Sequence, residues 1–475
     1  MTKTIFISGN FNILHPGHLR LLRFARELGE ELIVAVHSDR LGGEAIHVPE
    51  DMRLEGLQSN IWVTKAFIID APVTETIKQI KPDIVVKGKE HENQHNEELT
   101  AVQDYGGKLI FSSGEVIFSS MDLLRKDLKS NKHKVINFPN NFLSRHNFNK
   151  SDLNSIVQNF SSLKVCVVGD LIVDEYISCD PLGLSKEDPT IVVTPIDHQK
   201  FVGGAGIVAA HAAGLGAKVK LISVGGNDDA LQFSQKSLES FSVEAKILID
   251  ESRPTTLKQR YRAEGKTLLR VSHLHQGSIS QSFQESFLDC ATKAIKESDV
   301  LIFSDFNYGC LPQQLVNGLI KIAKDNGVIT AADSQSSSQI GDIGRYQNMD
   351  FLFPTEHEAR ISLRNHDDGI VVLSQKLAKI SKAKNIILKL GSEGALLHLD
   401  DGTGVNKTDR LAPLNLSPID VAGAGDSMLI STMMSIVAGG NVWQAACIGG
   451  VASALQISRI GNIPLQKNEL LDCLK

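Results

Sequence analysis

Two short segments of this 475-residue chain combine glycine with a side chain able to move a proton. The first runs Gly9-Asn-Phe11-Asn-Ile-Leu-His15-Pro-Gly17-His18, between an apolar run and a helical pattern. A helix starting there offers unpaired N–H groups and a positive dipole end to an anion. His15 and His18 at that start can donate hydrogen bonds to a triphosphate and to charge building on its α-phosphorus. Gly17 lets the backbone come close, and Pro16 loses no donor in a first turn. The second segment runs Asp420-Val-Ala-Gly423-Ala424-Gly425-Asp426 into an apolar helical stretch. Its N–H groups can converge on a transferring phosphoryl group, and Asp426 can take the proton of an attacking hydroxyl. Far upstream lie a further glycine turn, Gly203-Gly204-Ala-Gly206, and the carboxylates Asp170 and Asp174 after another apolar run.

Such residues work only where strand ends meet. Short apolar runs bounded by turn residues predict strands at 4–9, 32–36, 66–69, 84–86 and 108–111, with helices at 17–28 and 73–80. Apolar runs recur at 165–168, 219–224, 300–304, 328–332, 351–353 and 385–390. Strand and helix alternate throughout, which predicts an α/β protein with two doubly wound parallel-sheet domains. Residues 176–200 and 254–274 alternate like β segments of a small lid. The expected domains are 1–127 and 163–475, joined by a polar linker over 128–162 that ends in a short helix.

Composition narrows the function. Lysine and arginine number 49 against 55 acids, so the net charge is 49 − 55 = −6, which argues against a nucleic-acid-binding face. Apolar residues at 42% and charged residues at 22% exclude wholesale disorder. No apolar run approaches about 18 residues, and no leader pattern opens the chain, so neither membrane nor export is expected. Six cysteines without CxxC spacing read as reduced thiols, and the expected location is cytoplasmic. His91 and His95 lie in a polar stretch without a third ligand and read as solvated loop, and Met433-Met434 reads as core.

The first segment resembles the HxGH nucleotidyltransferases of the cytidylyltransferase-like family, over about residues 3–127. The resemblance implies that His15 and His18 hold a triphosphate, with Phe11, Gly17, Lys87, Ser119, Ser120 and Arg125 in the nucleotide site. A sugar-phosphate oxygen would attack the α-phosphate and expel pyrophosphate. Departures are Asn12 where the family has aspartate and Lys87-Gly-Lys-Glu90 where it has KGxD. The loop at 40–50 offers only Arg40 for a lysine, and Arg53 reads equally as a family arginine or a surface residue.

Over about 163–470 the chain resembles the ribokinase-like (PfkB) sugar kinases. That resemblance makes Asp426 the catalytic base and Gly423, Ala424 and Gly425 the anion hole. It gives Asp174 the sugar hydroxyls, lets Gly203 and Gly204 floor the sugar pocket, and puts Glu358 in an indirect Mg²⁺–phosphate network. Here too there are departures. The family's asparagine after the double glycine is Ile207, its NxxE asparagine is Thr355, and lysines of two elements are replaced in Asp305-Phe-Asn-Tyr308-Gly and Asp333-Ser-Gln335. The two halves together resemble the bifunctional ADP-heptose synthase family in reversed order. This implies ATP and Mg²⁺, a heptose 7-phosphate kinase, a heptose 1-phosphate adenylyltransferase serving surface glycan synthesis, and a homo-oligomer formed through the lid. Two alternatives stay open: another sugar or polyol phosphate with CTP, and one half acting as a non-catalytic module.

Overall fold

A computed structural model of the chain describes residues 3–12, 14, 16–42, 46, 48–88, 96–112, 136–185, 187–188, 190–263, 266–336, 341–399 and 407–475. In the smaller unit, β1 (Thr4–Gly9), β2 (Glu31–His37), β3 (Lys65–Ile69), β4 (Ile84–Lys87) and β5 (Lys108–Phe111) form a parallel sheet in the order β3-β2-β1-β4-β5. Ile5, Phe6 and Ile7 are all buried, which explains why β1 is apolar without alternation: both faces of a parallel sheet are covered. The order reverses at β1, with β2 on one side and β4 on the other. Ligand crevices form at such a switch, outside the carboxyl ends of the strands. The helix Pro16–Glu27 starts beside it.

In the larger unit, β6 (Lys164–Gly169) passes through Asp170 into a long hairpin, β7 (Leu171–Leu184) and β8 (Ile191–Gly204). Then come β9 (Lys218–Gly225), β10 (Glu244–Ile249), β11 (Thr256–Ala263) and β12 (Lys266–His273). The unit closes with β13 (Val300–Asp305), β14 (Ile329–Ser334), β15 (Phe351–Leu352), β16 (Asn385–Lys389), β17 (Ala395–Leu399) and β18 (Lys407–Leu411). Nine strands form the main sheet, β10-β9-β6-β13-β14-β15-β16-β17-β18, parallel except for β16-β17 and β17-β18. The other four form a separate sheet, β12-β11-β7-β8, that stands off it as the expected lid. Its hairpin is continuous with the core, so the lid's root carries Asp174 and Gly203 into the crevice.

The structure adds β10, β17 and β18, which the sequence reading did not expect. The stretch read as a linker ending in a short helix holds two helices. From residue 136 on, this stretch is packed structure. Helices Asn140–Arg145 and Lys150–Gln158, with the single turn Asn159–Ser162 that follows, bury Phe142, Leu153, Ile156, Val157 and Phe160 in the larger unit's core. Asn149 and Asp152 close the second helix with a reciprocal capping box. The two units touch. Glu27 accepts the Gly369 N–H at 2.7 Å, and buried Arg410 donates to the Ser112 carbonyl at 3.1 Å. Between them lies a cavity of about 310 Å³ lined by Arg20, Arg23 and Phe24 on one side and Glu356, Arg360 and Ile370 on the other.

Candidate active sites

The larger site gathers at the carboxyl ends of β13, β14 and β16 and at the start of the helix Ala424–Val437. Gly423 caps that helix at φ 74°, a left-handed conformation that favours glycine. Asp426 sits in the first turn and is 6% exposed. Burial pushes its pKa up to about 6, against the opposing charge of Lys389 and with Asp174 adding to the rise. A carboxyl poised there can take a proton near neutral pH. The Gln335 amide donates to Asp426 at 3.4 Å.

Asp174 lies on β7, opposite Phe201 of β8. Its carboxylate occupies the space that a side chain at Gly203 would need. Arg260 of the lid pairs with it at 3.5 Å, and Asn462 donates to it at 3.2 Å. Burial raises its pKa, with Arg260 and Lys258 opposing. Asn462 also borders Gly423, so it links the acid near the expected sugar pocket to the anion-hole glycine. Ile207 is fully buried in the helix Ala205–Gly214, and the amide beside Asp174 comes from Asn462 instead. Asp420, at the head of the second glycine segment, ties the loop to the lid by accepting from the Tyr176 hydroxyl at 2.9 Å and the Gly461 N–H at 3.0 Å.

Glu358 is buried in the same crevice. Its two oxygens accept backbone N–H groups, Thr355 at 2.7 Å and Ser336 at 3.2 Å. Thr355 is thereby accounted for, since its hydroxyl accepts the Glu358 N–H and completes a capping box. Among the described residues no group of three or more ligating side chains is arranged to hold a metal by itself. One oxygen is open to an ion carried in by a ligand: buried Asp333 Oδ1 has no hydrogen-bond partner.

Sequence reasoning missed Lys389. It ends β16 and pairs with Asp333 at 2.5 Å, the carboxylate buried and the lysine side chain largely so. Burial alone would lower the ammonium's pKa, but Asp333, Glu358 and Asp426 outweigh that and raise it. The lysines absent from the two replaced elements therefore do not leave the crevice without a cation. The available signal was a single charge ending the apolar run Ile386-Ile-Leu388, just before Gly391.

In the smaller unit, Phe11 follows β1 at φ 49°, and its ring centroid is 5.2 Å from that of His18. Gly17 lies in the first turn of Pro16–Glu27. Lys87 ends β4, where its ammonium pairs with Glu98 at 2.7 Å, so reaching a phosphate requires that pair to open. His15, Ser119, Ser120, Arg125, His91 and His95 lie outside the described residues. Arg53 is no surface residue, being 2% exposed. It donates to the carbonyls of Val48 at 2.7 Å, Asn10 at 2.7 Å and His37 at 2.9 Å, and to Asp39 at 2.6 Å. It clamps the turn after β1 to the turn after β2. Arg40 instead meets Asp70 on the surface.

Residues 162–468 match the family of pfkB carbohydrate kinases, and residues 6–127 match the cytidylyltransferase-like family. The Bifunctional protein HldE of Desulfatibacillum aliphaticivorans is 28% identical over 320 residues, covering 66% of this chain and 63% of that protein. Its namesake in Helicobacter pylori is 29% identical over 302 residues, covering 63% and 64%. The chain thus spans less than two thirds of these relatives' own lengths. Among solved structures, Arabidopsis thaliana ribokinase complexed with ribose and ATP aligns with a TM-score of 0.53 at 18% identity, covering 66% of this chain and 99% of the ribokinase. Escherichia coli phosphofructokinase-2 in complex with substrates and products aligns with a TM-score of 0.53 at 15% identity, covering 66% and 98%. These two likenesses establish the fold of the larger unit.

Proposed function

The chain belongs to the pfkB family of carbohydrate kinases, and from that premise we propose a two-site transferase acting on sugar phosphates. The observation that carries the proposal is Asp426, buried at a glycine-capped helix start with Asp174 and Gly203 beside it. The acceptor's hydroxyl lies between Asp174 and Asp426. Asp426 takes its proton as the acceptor oxygen bonds to the γ-phosphorus and the bond to the ADP oxygen breaks. The N–H groups at the start of Ala424–Val437 hold the transferring phosphoryl group. Mg²⁺ arriving on the triphosphate would meet Asp333 Oδ1 and neutralise phosphate charge.

In the smaller unit a sugar 1-phosphate oxygen attacks the α-phosphorus of a nucleoside triphosphate, and pyrophosphate leaves. His18, with His15, holds the triphosphate at the start of Pro16–Glu27. The pairing of the two domains and the relatives' shared name favour D-glycero-D-manno-heptose 7-phosphate as the kinase substrate and heptose 1-phosphate with ATP at the transferase, towards ADP-heptose for lipopolysaccharide or another surface glycan. We place the chain in the cytoplasm, where these phosphates occur. All six cysteines are free thiols, and among the described residues no helix is long and apolar enough to cross a membrane.

A mass-spectrometric product screen tests this. Heptose 7-phosphate is offered with Mg·ATP, and heptose 1-phosphate with each nucleoside triphosphate in turn. A heptose bisphosphate and ADP-heptose are expected. A CDP-sugar would move the transferase to cytidine chemistry, and absence of both products would remove the heptose assignment.

The lid exposes Ile191, Ile196 and Leu269, apolar side chains that a second copy's lid would cover. We propose a lid-to-lid dimer. Sedimentation is expected to give twice the chain mass, reduced to one by Ile196→Lys with Leu269→Lys; a wild-type monomer at micromolar concentration would refute the dimer.

A further inference from the structure

Lys389 is the only charged residue of β16, at a strand end where a lysine ordinarily snorkels to solvent. Its side chain is only 11% exposed, and its ammonium turns inward onto Asp333. Taking two charges out of water is repaid only by close geometry and well-satisfied neighbours. This pair is close but incomplete, because Asp333 Oδ1 is buried without a partner. The ammonium also borders Gly425 closely: a Cβ there would lie 3.2 Å from Lys389 Nζ, a tight contact. Cα–Cβ bonds tilt toward a helix's N-terminus, so Lys389 Nζ lies alongside the first turn of Ala424–Val437. Helices leave N–H groups there without intrahelical partners. An ammonium carries three donors, and Asp333 takes one. Beside it lies a cavity of about 380 Å³ lined by Thr355, Glu356, His357, Arg360, Lys389 and Gly391.

We propose that Lys389 is a catalytic residue of phosphoryl transfer, held by Asp333 so that its ammonium binds the γ-phosphoryl oxygens at the start of Ala424–Val437. The assignment rests on the kinase reading given above. As the acceptor oxygen bonds to phosphorus and the bond to ADP breaks, Asp426 takes the proton and Lys389 keeps its own, following the charge onto the leaving phosphate. A side chain at Gly425 would press on this ammonium. A purely structural Lys389 would only neutralise Asp333, Glu358 and Asp426.

Lys389→Met alone strands a buried carboxylate, so the test compares it with Asp333→Asn and with the double variant, each checked by circular dichroism. The double variant keeps neither charge and is expected to fold, yet to lose about 10²–10³-fold in kcat. Its KM for the sugar phosphate is expected to stay within about threefold of wild type. Asp333→Asn, which retains the ammonium, is expected to turn over at least about tenfold faster than the double variant. Calorimetric binding of Mg·ATP and Mg·ADP provides a readout without an acceptor, and the wild-type preference for the triphosphate is expected to vanish in the double variant. A double variant with the rate of Asp333→Asn, or with the wild-type ATP-to-ADP ratio, overturns the role of Lys389. A wild-type chain that binds Mg·ATP but phosphorylates no sugar phosphate overturns the kinase reading instead, and the binding ratio then still decides on Lys389.

Discussion

Asp426→Asn is expected to lower the kinase kcat by about 10²–10⁴-fold while leaving the nucleotidyltransferase at its wild-type rate. The substitution keeps the shape of the side chain and removes only the ability to accept a proton. The Gln335 amide can still donate to the remaining side-chain oxygen, so geometry is preserved. A pH profile separates loss of the base from loss of the site. In the wild type the base must be ionised, so kcat/KM rises as pH climbs through about 6, the value to which burial lifts Asp426. In the variant that acid limb disappears from the residual rate.

Stability is expected to move the other way. The folded pKa of about 6 lies above the ordinary carboxyl value of 3.8, so the folded state binds this proton more tightly than the unfolded chain does. By linkage, ionising Asp426 costs folded-state stability, and the cost is fully present above about pH 6. A neutral amide avoids it, so the variant is expected to melt no lower than wild type at pH 8. A variant with a wild-type kinase rate would mean that Asp426 merely caps its helix.

Arg53→Met is expected to destabilise the smaller unit by about 2–4 kcal/mol and to abolish pyrophosphate release while the kinase persists. Three backbone carbonyls that now accept from one fully buried guanidinium would lose their donor together. Two of them belong to Asn10, in the turn that follows β1, and to His37, the last residue of β2. Loosening them moves the start of the helix that carries His18. An exposed arginine replaced in the same way would change stability by no more than about 0.5 kcal/mol. Denaturant unfolding followed with both assays decides the matter. Loss of both activities at once would mean that the units fail together, and loss of neither would remove Arg53 from the site.

Much of the rest was legible because it is local. Short apolar runs mark β1, β6, β13 and β14, since both faces of a parallel strand are buried and nothing in the run needs to be polar. Gly423 to Asp426 and Gly203-Gly204 announce themselves because a glycine turn and its functional side chain are neighbours in the chain. Edge elements were harder. β18 reads Lys-Thr-Asp-Arg-Leu and draws its shape from pairing with β17, not from its own composition. The helix Lys150–Gln158 is a different case. Its apolar positions 153, 156 and 157 carry a helical period inside a polar stretch, and a short helix was expected there at the end of the linker.

Sequence alone determined two α/β units and the placement of the acid after a glycine turn, because those follow from periodicity and short spacing, and its motifs carried the family resemblance of each unit. Only the tertiary structure decided where the charges meet. Lys389 reaches Asp333 across 56 residues and Asn462 reaches Asp174 across 288, while Arg53 is swallowed between two turns. An isolated lysine, asparagine or arginine has no periodicity to betray it. Its role is set by which strand ends the sheet order brings together and by how completely the surrounding core strips away water.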